Sequence, residues 1–214
     1  MSETLAKMKE AIVTYDKNLV RQMATRALEE GIDAGTILEV TTEVIRSIGD
    51  KFAKKEIFLP ELVGAASVMT EVIKMIEVEI EKTGQKVDKI GTVVIGTVKG
   101  DIHDIGKTMV KTFLVADNFR VIDLGVDVSP EKFIAAIEKY NAEVLALSAL
   151  LTTTATEQRR TIETLKDKGK RDKVKVIIGG AAVDQKYAEE IGADGYEATA
   201  PRAPVLCKKL IGKE

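Results

Sequence analysis

The spacing of apolar residues changes once along this chain, between residues 81 and 89. Before this point, apolar residues recur about every 3.6 positions, as they do on one face of a helix. After it, they form short continuous runs rich in Val and Ile, which are typical of strands buried on both faces of a sheet. The pattern predicts two domains, a helical domain at 1–87 and an α/β domain at 88–214, joined by the polar segment 81–88.

The first domain is expected to contain four helices. Ser2 or Thr4 can cap the first helix, and the fourth is expected at Leu62–Ile80, because the residue before Pro60 resists the α conformation. Apolar positions at helical spacing mark the first three helices. They are Leu5, Met8 and Ile12, then Leu19, Met23 and Ala27, and then Ile37, Val40, Val44, Ile45 and Ile48. Short turns between the helices favour an antiparallel four-helix bundle.

In the second domain, apolar runs alternate with helical segments. The runs are IGTVVIG, RVIDLG, AEVLALS and KVKVIIGG, followed by a short ADGYEA. Helical segments are expected at 104–117, 129–140, 154–169 and 183–191, and a last helix begins near Pro201. This alternation predicts a doubly wound, five-stranded parallel sheet. Its ligand crevice is expected at the carboxyl ends of the strands, near the topological switch point.

Composition and charge exclude several classes of protein. The 32 Lys and Arg are offset by 34 Asp and Glu, so no basic surface for nucleic acid is expected. No apolar run approaches the ~18 residues that cross a membrane, and the first residues lack a secretory pattern. The only cysteine, Cys207, has no partner for an internal disulfide, which favours a cytoplasmic location. We expect it to be a small apolar residue of the last helix.

The candidate chemistry lies in the segment GTVKGDIHDIGKT, residues 96–108, which contains the only histidine, His103. A phosphate-binding loop is disfavoured, because five residues separate Gly100 from Gly106 where that motif has four, and because Asp101 and Asp104 would repel an anion. The glycine pattern of a dinucleotide site is absent from this segment. Zinc is disfavoured because it needs about four ligands, mostly Cys and His, and the chain has one of each.

Three interpretations of His103 stay open at this point. It is a structural residue of the loop, or a neighbour of a hard cation held by Asp101 and Asp104, or the ligand of a metal whose other ligands come from a macrocycle, as in haem. In the third case, Asp101 would accept the proton of the other ring nitrogen and make the ligating nitrogen more basic. The flanking glycines would let a large planar ring approach the backbone.

Three motifs carry a resemblance to a known family. Asp101-Ile-His103-Asp-Ile-Gly106 resembles the D-x-H-x-x-G signature of cobalamin-binding domains that bind the cofactor base-off and histidine-on. Ser148-Ala-Leu150 follows after 41 residues, 107–147, and Gly179-Gly180 after 28 more, 151–178, as S-x-L and G-G do in that family. With the preceding bundle, the chain resembles the corrinoid proteins of methyltransferase systems and the matching module of cobalamin-dependent methionine synthase. The fold implied is a helical cap on a Rossmann-like, flavodoxin-like domain.

The resemblance implies a role for each motif residue. His103 would be the lower axial ligand of cobalt, in place of the dimethylbenzimidazole of the cofactor, and Asp101 would hydrogen-bond to it. Thr154 would extend this relay, at a position where methionine synthase has serine. The slot for the displaced nucleotide tail would be lined by Ser148, Leu150, Gly179 and Gly180, with Gly106 opening the helix beside it and Tyr196 either bordering the tail or serving a structural role.

A protein of this family would carry a methyl group as methyl-Co(III) and have no catalytic residue beyond its cofactor. Its expected partners are a substrate-specific methyltransferase, a second methyltransferase with a folate or thiol acceptor, and a reductive activator. The methyl donor stays open among methylamine, methanol, a quaternary amine and a methoxyaromatic. The cap would swing aside about a hinge at 81–88. Candidates to cover the cobalt are Phe58, Leu62, Met69 and Val72, which the bundle core could equally contain.

Two other functions of cobalamin proteins are alternatives. A cobalamin-dependent sensor would carry a DNA-recognition module, and no basic helix of that kind is present in this sequence. The small subunit of an adenosylcobalamin mutase would usually lack the bundle predicted for residues 1–87. Both alternatives are therefore less favoured than a methyl carrier.

Overall fold

The structure is a computed structural model that describes residues 2–83 and 89–213. By their internal contacts the residues form two units, 1–88 with Val115–Asp117, and 89–114 with 118–214. Residues 84–88 of the predicted linker and hinge lie outside the described residues. The hinge therefore stays a prediction.

The first unit contains four α-helices. They are α1 at Glu3–Val13, α2 at Lys17–Glu29, α3 at Ala34–Ala53 and α4 at Leu59–Thr83. Helix α1 packs on α2 and α3, and α4 packs on α2 and α3. The predicted four-helix bundle is confirmed.

Polar side chains begin the first three helices. Ser2, Asp16 and Asp33 each accept a hydrogen bond from the backbone of the first turn, which satisfies N–H groups that have no partner inside the helix. Of the two predicted caps for α1, Ser2 is the one used. Helix α4 begins three residues before the predicted Leu62, because Pro60 lies in its first turn, where its missing N–H costs no hydrogen bond.

The core of the bundle differs in part from the predicted one. On α2, the buried residues are Val20, Ala24 and Ala27, whereas Leu19 and Met23 are only partly buried. Three of the four residues proposed to cover the cobalt, Leu62, Met69 and Val72, are fully buried in the bundle, and Phe58 is 73% exposed. The first three are therefore core residues of the bundle.

The second unit is built on a five-stranded parallel sheet, as predicted. The strands are β1 at Thr92–Thr97, β2 at Arg120–Asp123, β3 at Val144–Ser148, β4 at Lys175–Gly179 and β5 at Gly195–Tyr196. Their order across the sheet is β2-β1-β3-β4-β5, and every pairing is parallel. This is the flavodoxin-like order, in which the direction of winding reverses between β1 and β3. A ligand site is expected at the carboxyl ends of those two strands.

Five helices cover the two faces of this sheet. They are α5 at Ile105–Ala116, α6 at Pro130–Tyr140, α7 at Thr152–Asp167, α8 at Gln185–Ile191 and α9 at Ala203–Ile211. Residues of α6, α7 and α8 form one core cluster with the strands, and residues of α5 and α9 form the other. Cys207 lies fully buried in the second cluster, as predicted, and burial raises the pKa of its thiol to about 12. Among the described residues, no helix is long and apolar enough to span a membrane.

Candidate cofactor site

His103 lies in the loop between β1 and α5, at the carboxyl edge of the sheet. The loop turns at Gly100, whose φ of +77° is unfavourable for residues with a side chain. The hydroxyl of Thr97, the last residue of β1, donates a hydrogen bond to the carbonyl of His103 over 2.9 Å. The strand end therefore fixes the backbone position of the histidine directly.

A second loop, after β2, holds the other side of this turn through Asp127. Its carboxylate accepts a hydrogen bond from the Gly100 N–H over 2.8 Å, and its own N–H donates to the Asp101 carbonyl over 3.0 Å. Asp127 has a φ of 53°, a left-handed conformation that Asp tolerates better than most residues. Sequence reasoning missed this residue, because the only local signal is an Asp in a turn that follows a strand.

Asp101 connects the histidine to the loop after β3. One carboxylate oxygen, Oδ1, lies 2.8 Å from His103 Nδ1 and accepts the His103 N–H over 3.0 Å. The other, Oδ2, accepts the Thr154 hydroxyl over 2.6 Å and the Leu150 N–H over 2.8 Å. Burial of this carboxyl, which is 1% exposed, would raise its pKa, but the hydrogen bonds from Thr154, Leu150 and His103 outweigh burial and hold the pKa far below its usual range.

The ionised state of Asp101 determines how the imidazole is oriented. Because a carboxylate can only accept, the hydrogen between Asp101 and His103 must lie on Nδ1. The lone pair of Nε2 is then free to bind, and among the described residues Nε2 makes no hydrogen bond. The side chain of His103 is 49% exposed. The site therefore presents one accessible, oriented nitrogen ligand.

Large apolar side chains are exposed on the two loops that Asp101 joins. Ile102 and Ile105 flank His103 and are 76% and 65% exposed, and Leu150 and Leu151 follow β3 and are 37% and 48% exposed. Exposed apolar side chains at one edge of a sheet are typical of a surface that a ligand or partner covers.

The residues predicted to line a tail slot lie at the same edge. Ser148 and Gly179 are paired as the last residues of β3 and β4, and Gly180 follows in a backbone conformation with φ of +127°. A Cβ atom on Gly180 would lie 1.7 Å from the carbonyl oxygen of Ala149, so the two backbones approach too closely for any side chain. Glycine is therefore required here by the contact between the two strand ends.

The structure places the remaining predicted residues at different distances from this group. Gly106 is the second residue of α5, and a Cβ atom there would meet nothing within 4 Å. Tyr196 lies in β5, where it pairs with Ile178 of β4 and packs against the core. The structure brings Asp101, His103, Thr154 and Leu150 together through hydrogen bonds, and among the described residues no hydrogen bond joins Tyr196 to them.

Asp104 is part of an ion-pair network that sequence reasoning missed. The Nζ atom of Lys107, a residue 2% exposed, lies 2.8 Å from Asp104 and 2.7 Å from Asp123 at the end of β2. The hydrogen bond from Lys107 is the main cause that lowers the pKa of Asp104. For Asp123, burial alone would raise the pKa, but the hydrogen bonds from Lys107 and the Gly125 N–H and the charges of Lys107 and Lys111 together outweigh burial and lower the pKa. Both carboxylates of the hard-cation hypothesis, Asp101 and Asp104, are thus occupied by protein donors.

Fold and site together define a class of protein. It has a helical bundle and a flavodoxin-like domain that presents one histidine ligand, on an apolar surface, at the switch point of the sheet. Among the described residues, no group of three or more His, Cys, Asp or Glu could hold a metal ion. A metal bound at His103 must therefore bring most of its ligands with it, as a metal in a macrocycle does.

Comparison with known proteins identifies the macrocycle. Residues 91–205 match the family described as B12 binding domain, and residues 4–77 match a second family of the same description. The chain is 43% identical to the trimethylamine corrinoid protein of Methanosarcina barkeri over 210 residues, which are 98% of this chain and 97% of the relative. It is 38% identical to dimethylamine corrinoid protein 1 of Methanosarcina mazei over 209 residues, 98% and 96% of the two chains.

A solved structure is similar as well. The methanol:cobalamin methyltransferase complex MtaBC of Methanosarcina barkeri contains a chain that matches with a TM-score of 0.81 and 29% identity, over 100% of this chain and 81% of that one. The present chain belongs to the family of B12-binding corrinoid proteins, and its cofactor is cobalamin.

The residues at the site fit this cofactor on two observations. His103 offers a free Nε2 that Asp101 orients, and Ile102 and Leu150 supply apolar surface. One nitrogen ligand on an apolar edge matches a cobalt ion whose equatorial ligands the corrin ring already provides.

Proposed function

We propose that this chain is a methyl carrier that binds cobalamin base-off, with His103 as the lower axial ligand of cobalt. It passes the methyl group from a substrate-specific methyltransferase to a second methyltransferase with a folate or thiol acceptor. Residues 1–87 form the cap and residues 88–214 bind the cofactor. The observation that carries the proposal is the array of Thr154, Asp101 and His103, which fixes one imidazole tautomer and leaves Nε2 available.

The roles of the protein residues follow from their contacts. Bound cobalamin would supply the cobalt centre that accepts and releases a methyl group. Asp101 holds the proton of His103 on Nδ1 and, as an anion, makes Nε2 a stronger donor to a metal. Thr154 donates to Asp101 and thereby moderates its charge.

The tail slot is proposed at the ends of β3 and β4. Ser148, Leu150, Gly179 and Gly180 would line it, with Gly106 beside it at the start of α5 and Tyr196 at its border in β5. These residues would hold the nucleotide tail apart from the cobalt and so would leave His103 free to bind the metal.

The methyl donor is proposed to be a methylamine. The relatives named above are a trimethylamine and a dimethylamine corrinoid protein, and they align over nearly their whole length. A methyltransferase that binds this chain directly is supported by the similar chain in the methanol:cobalamin methyltransferase complex. The acceptor enzyme and a reductive activator remain expectations of the sequence. The match of residues 4–77 to a B12 binding family supports a cobalamin role for the bundle, which the mutase-subunit alternative would lack.

Reconstitution with hydroxocobalamin tests the axial ligand. The wild-type protein and His103→Ala are incubated with the cofactor, freed of excess, and compared by visible absorption and by electron paramagnetic resonance after reduction to the Co(II) state. We expect nitrogen hyperfine structure from histidine in the wild type and its loss in His103→Ala. Labelling the protein with ¹⁵N identifies the source, because only a histidine ligand changes the splitting. Unchanged splitting in the labelled protein would show that the benzimidazole stays bound.

Thr154→Ala and its matched control, Thr153→Ala, test the relay. Thr153 is the exposed neighbour of Thr154 on the same helix turn, and within the described part of the chain it makes no hydrogen bond to Asp101. We expect Thr154→Ala alone to shift the Co(II)/Co(I) midpoint potential, because it removes a hydrogen bond from the carboxylate behind the ligand. Equal potentials in the two variants would contradict the relay.

A further inference from the structure

Gln158 of α7 is a fully buried polar residue with no role in the site described so far. Its amide nitrogen donates two hydrogen bonds, to the Leu147 carbonyl over 3.0 Å and to the Gly179 carbonyl over 3.1 Å. Leu147 is in β3 and Gly179 is in β4, so the one side chain connects the ends of two neighbouring strands.

The orientation of the amide is determined by these partners. Two carbonyl oxygens can be satisfied only by the NH₂ group, so the amide oxygen, Oε1, must point the other way. That oxygen is buried, and among the described residues it has no hydrogen-bond partner. The burial of Oε1 without a partner is unfavourable, and the two hydrogen bonds that Nε2 donates to β3 and β4 offset it.

These two carbonyls lie where the tail slot is proposed. Gly179 is itself a slot residue, and Leu147 directly precedes another, Ser148. The Gly179 carbonyl also accepts the Ala149 N–H over 3.2 Å, so Gln158 adds a hydrogen bond where the ends of β3 and β4 are already joined. The next residues are Leu150, which donates to Asp101, and Gly180, whose backbone touches Ala149.

We propose that Gln158 is a positioning residue that sets the separation of the β3 and β4 carboxyl ends and thereby the fit of the nucleotide tail. The inference rests on the proposed function, since it requires the tail to lie against the strand ends at Ser148 and Gly179. A residue that only filled space in the core would act on protein stability and on all corrinoids alike. A residue that positions the slot acts on the tail alone.

The test compares two corrinoids that differ in the tail. Hydroxocobalamin carries the nucleotide tail, and aquocobinamide has the same ring without it. Dissociation constants for both are measured by absorption titration for wild type, Gln158→Met and Gln185→Met. Methionine is close to glutamine in size and has no donor. Gln185 is an exposed glutamine of α8 that bonds to Glu189, and provides the matched control.

We expect Gln158→Met to bind cobalamin about fivefold to tenfold more weakly, the effect of about one net hydrogen bond, while cobinamide binding stays within twofold of wild type. Gln185→Met should match wild type for both ligands. The inference would be overturned if Gln158→Met weakened the binding of both corrinoids equally or changed neither dissociation constant. It would also be overturned if the wild type bound cobalamin no more tightly than cobinamide.

Two further measurements separate this inference from the proposed function. Cobinamide has no tail, so a loss of cobinamide binding in His103→Ala supports His103 as the axial ligand whatever the tail does. The proposed ligand can therefore be correct even if the proposed role of Gln158 is wrong. A crystal structure of the wild-type cobalamin complex needs no variant that must fold. It supports the inference if Gln158 still bridges Leu147 and Gly179 beside the tail, and overturns it if the side chain has moved away or the tail lies elsewhere.

Discussion

Replacing Asp101 by asparagine changes one atom of the carboxyl group and removes its charge. In the wild type the carboxylate accepts four hydrogen bonds, two on each oxygen. Asparagine keeps one acceptor oxygen and turns an NH₂ group toward the donors on the other side. If the oxygen faces His103, the NH₂ meets the Leu150 N–H. If it faces Leu150, the NH₂ meets the His103 N–H. Either orientation leaves one of these partly buried backbone N–H groups without its acceptor.

The size of the expected loss of stability follows from this lost hydrogen bond. An unsatisfied buried donor costs about 1–3 kcal/mol, and the remaining hydrogen bonds lose the extra strength that an ionised acceptor gives them. We therefore expect Asp101→Asn to lower the free energy of unfolding of the apoprotein by about 2–4 kcal/mol at neutral pH. Asp167→Asn is the matched control, because Asp167 is an exposed aspartate at the end of α7.

The pH dependence gives a second, independent signature. The pKa of Asp101 in the folded protein lies below its ordinary value, so its stabilising effect is complete above the unfolded pKa of about 4 and is lost as the pH falls toward the folded pKa. The difference between wild type and Asp101→Asn should therefore shrink as the pH falls below about 4. Urea unfolding of the apoproteins, followed by circular dichroism at several pH values, measures it. A difference below about 0.5 kcal/mol at pH 7, or one that stays constant down to pH 3, would refute the reasoning.

Three other predictions rest on single contacts. Gly180→Ala should prevent stable folding of the α/β unit, because its Cβ would overlap the carbonyl oxygen of Ala149. Gly106→Ala is the matched control for folding, because its Cβ would lie in open space on α5, and it should melt at the wild-type temperature. Lys107→Met should lower the free energy of unfolding by about 3–5 kcal/mol, and adding Asp123→Asn should restore part of it. The thiol of Cys207 should react with a disulfide reagent at pH 8 only after denaturant is added, because burial raises its pKa and blocks access; rapid labelling of the native protein would contradict this.

Most of the secondary structure could be predicted from apolar spacing, because both units follow a regular pattern. The errors arose where two patterns compete. On α2, Leu19 and Met23 have the same spacing as Val20 and Ala24, and the structure buries the smaller pair. At the start of α4, a proline that can end a helix is equally suited to its first turn, and only the structure distinguishes the two cases.

Some residues of the candidate site could be predicted from the sequence, and others could not. Asp101 and His103 are two residues apart, so a local motif identifies them, and a family resemblance adds Thr154, which lies 53 residues from Asp101. Asp127 and Gln158 belong to no motif, because their contacts depend on which strand ends lie side by side in the sheet. Single-sequence reasoning predicts the strands but gives no distance between a side chain on one loop and a carbonyl on another.

The position of Asp101 explains why the site can be both rigid and tunable. Its carboxylate fixes the tautomer of His103 and also receives the Leu150 N–H from the loop after β3. A change in the charge or position of the imidazole therefore alters the hydrogen bond between Asp101 and Leu150, a residue that is proposed to line the tail slot. Because β1 and β3 are neighbours in the sheet, their carboxyl ends meet at its switch point, and one carboxylate can link the loops that follow them. Ligand strength at His103 and acceptance of the tail are thus expected to be coupled. Replacing Asp101 should impair both, and replacing Gln158 should impair the tail alone.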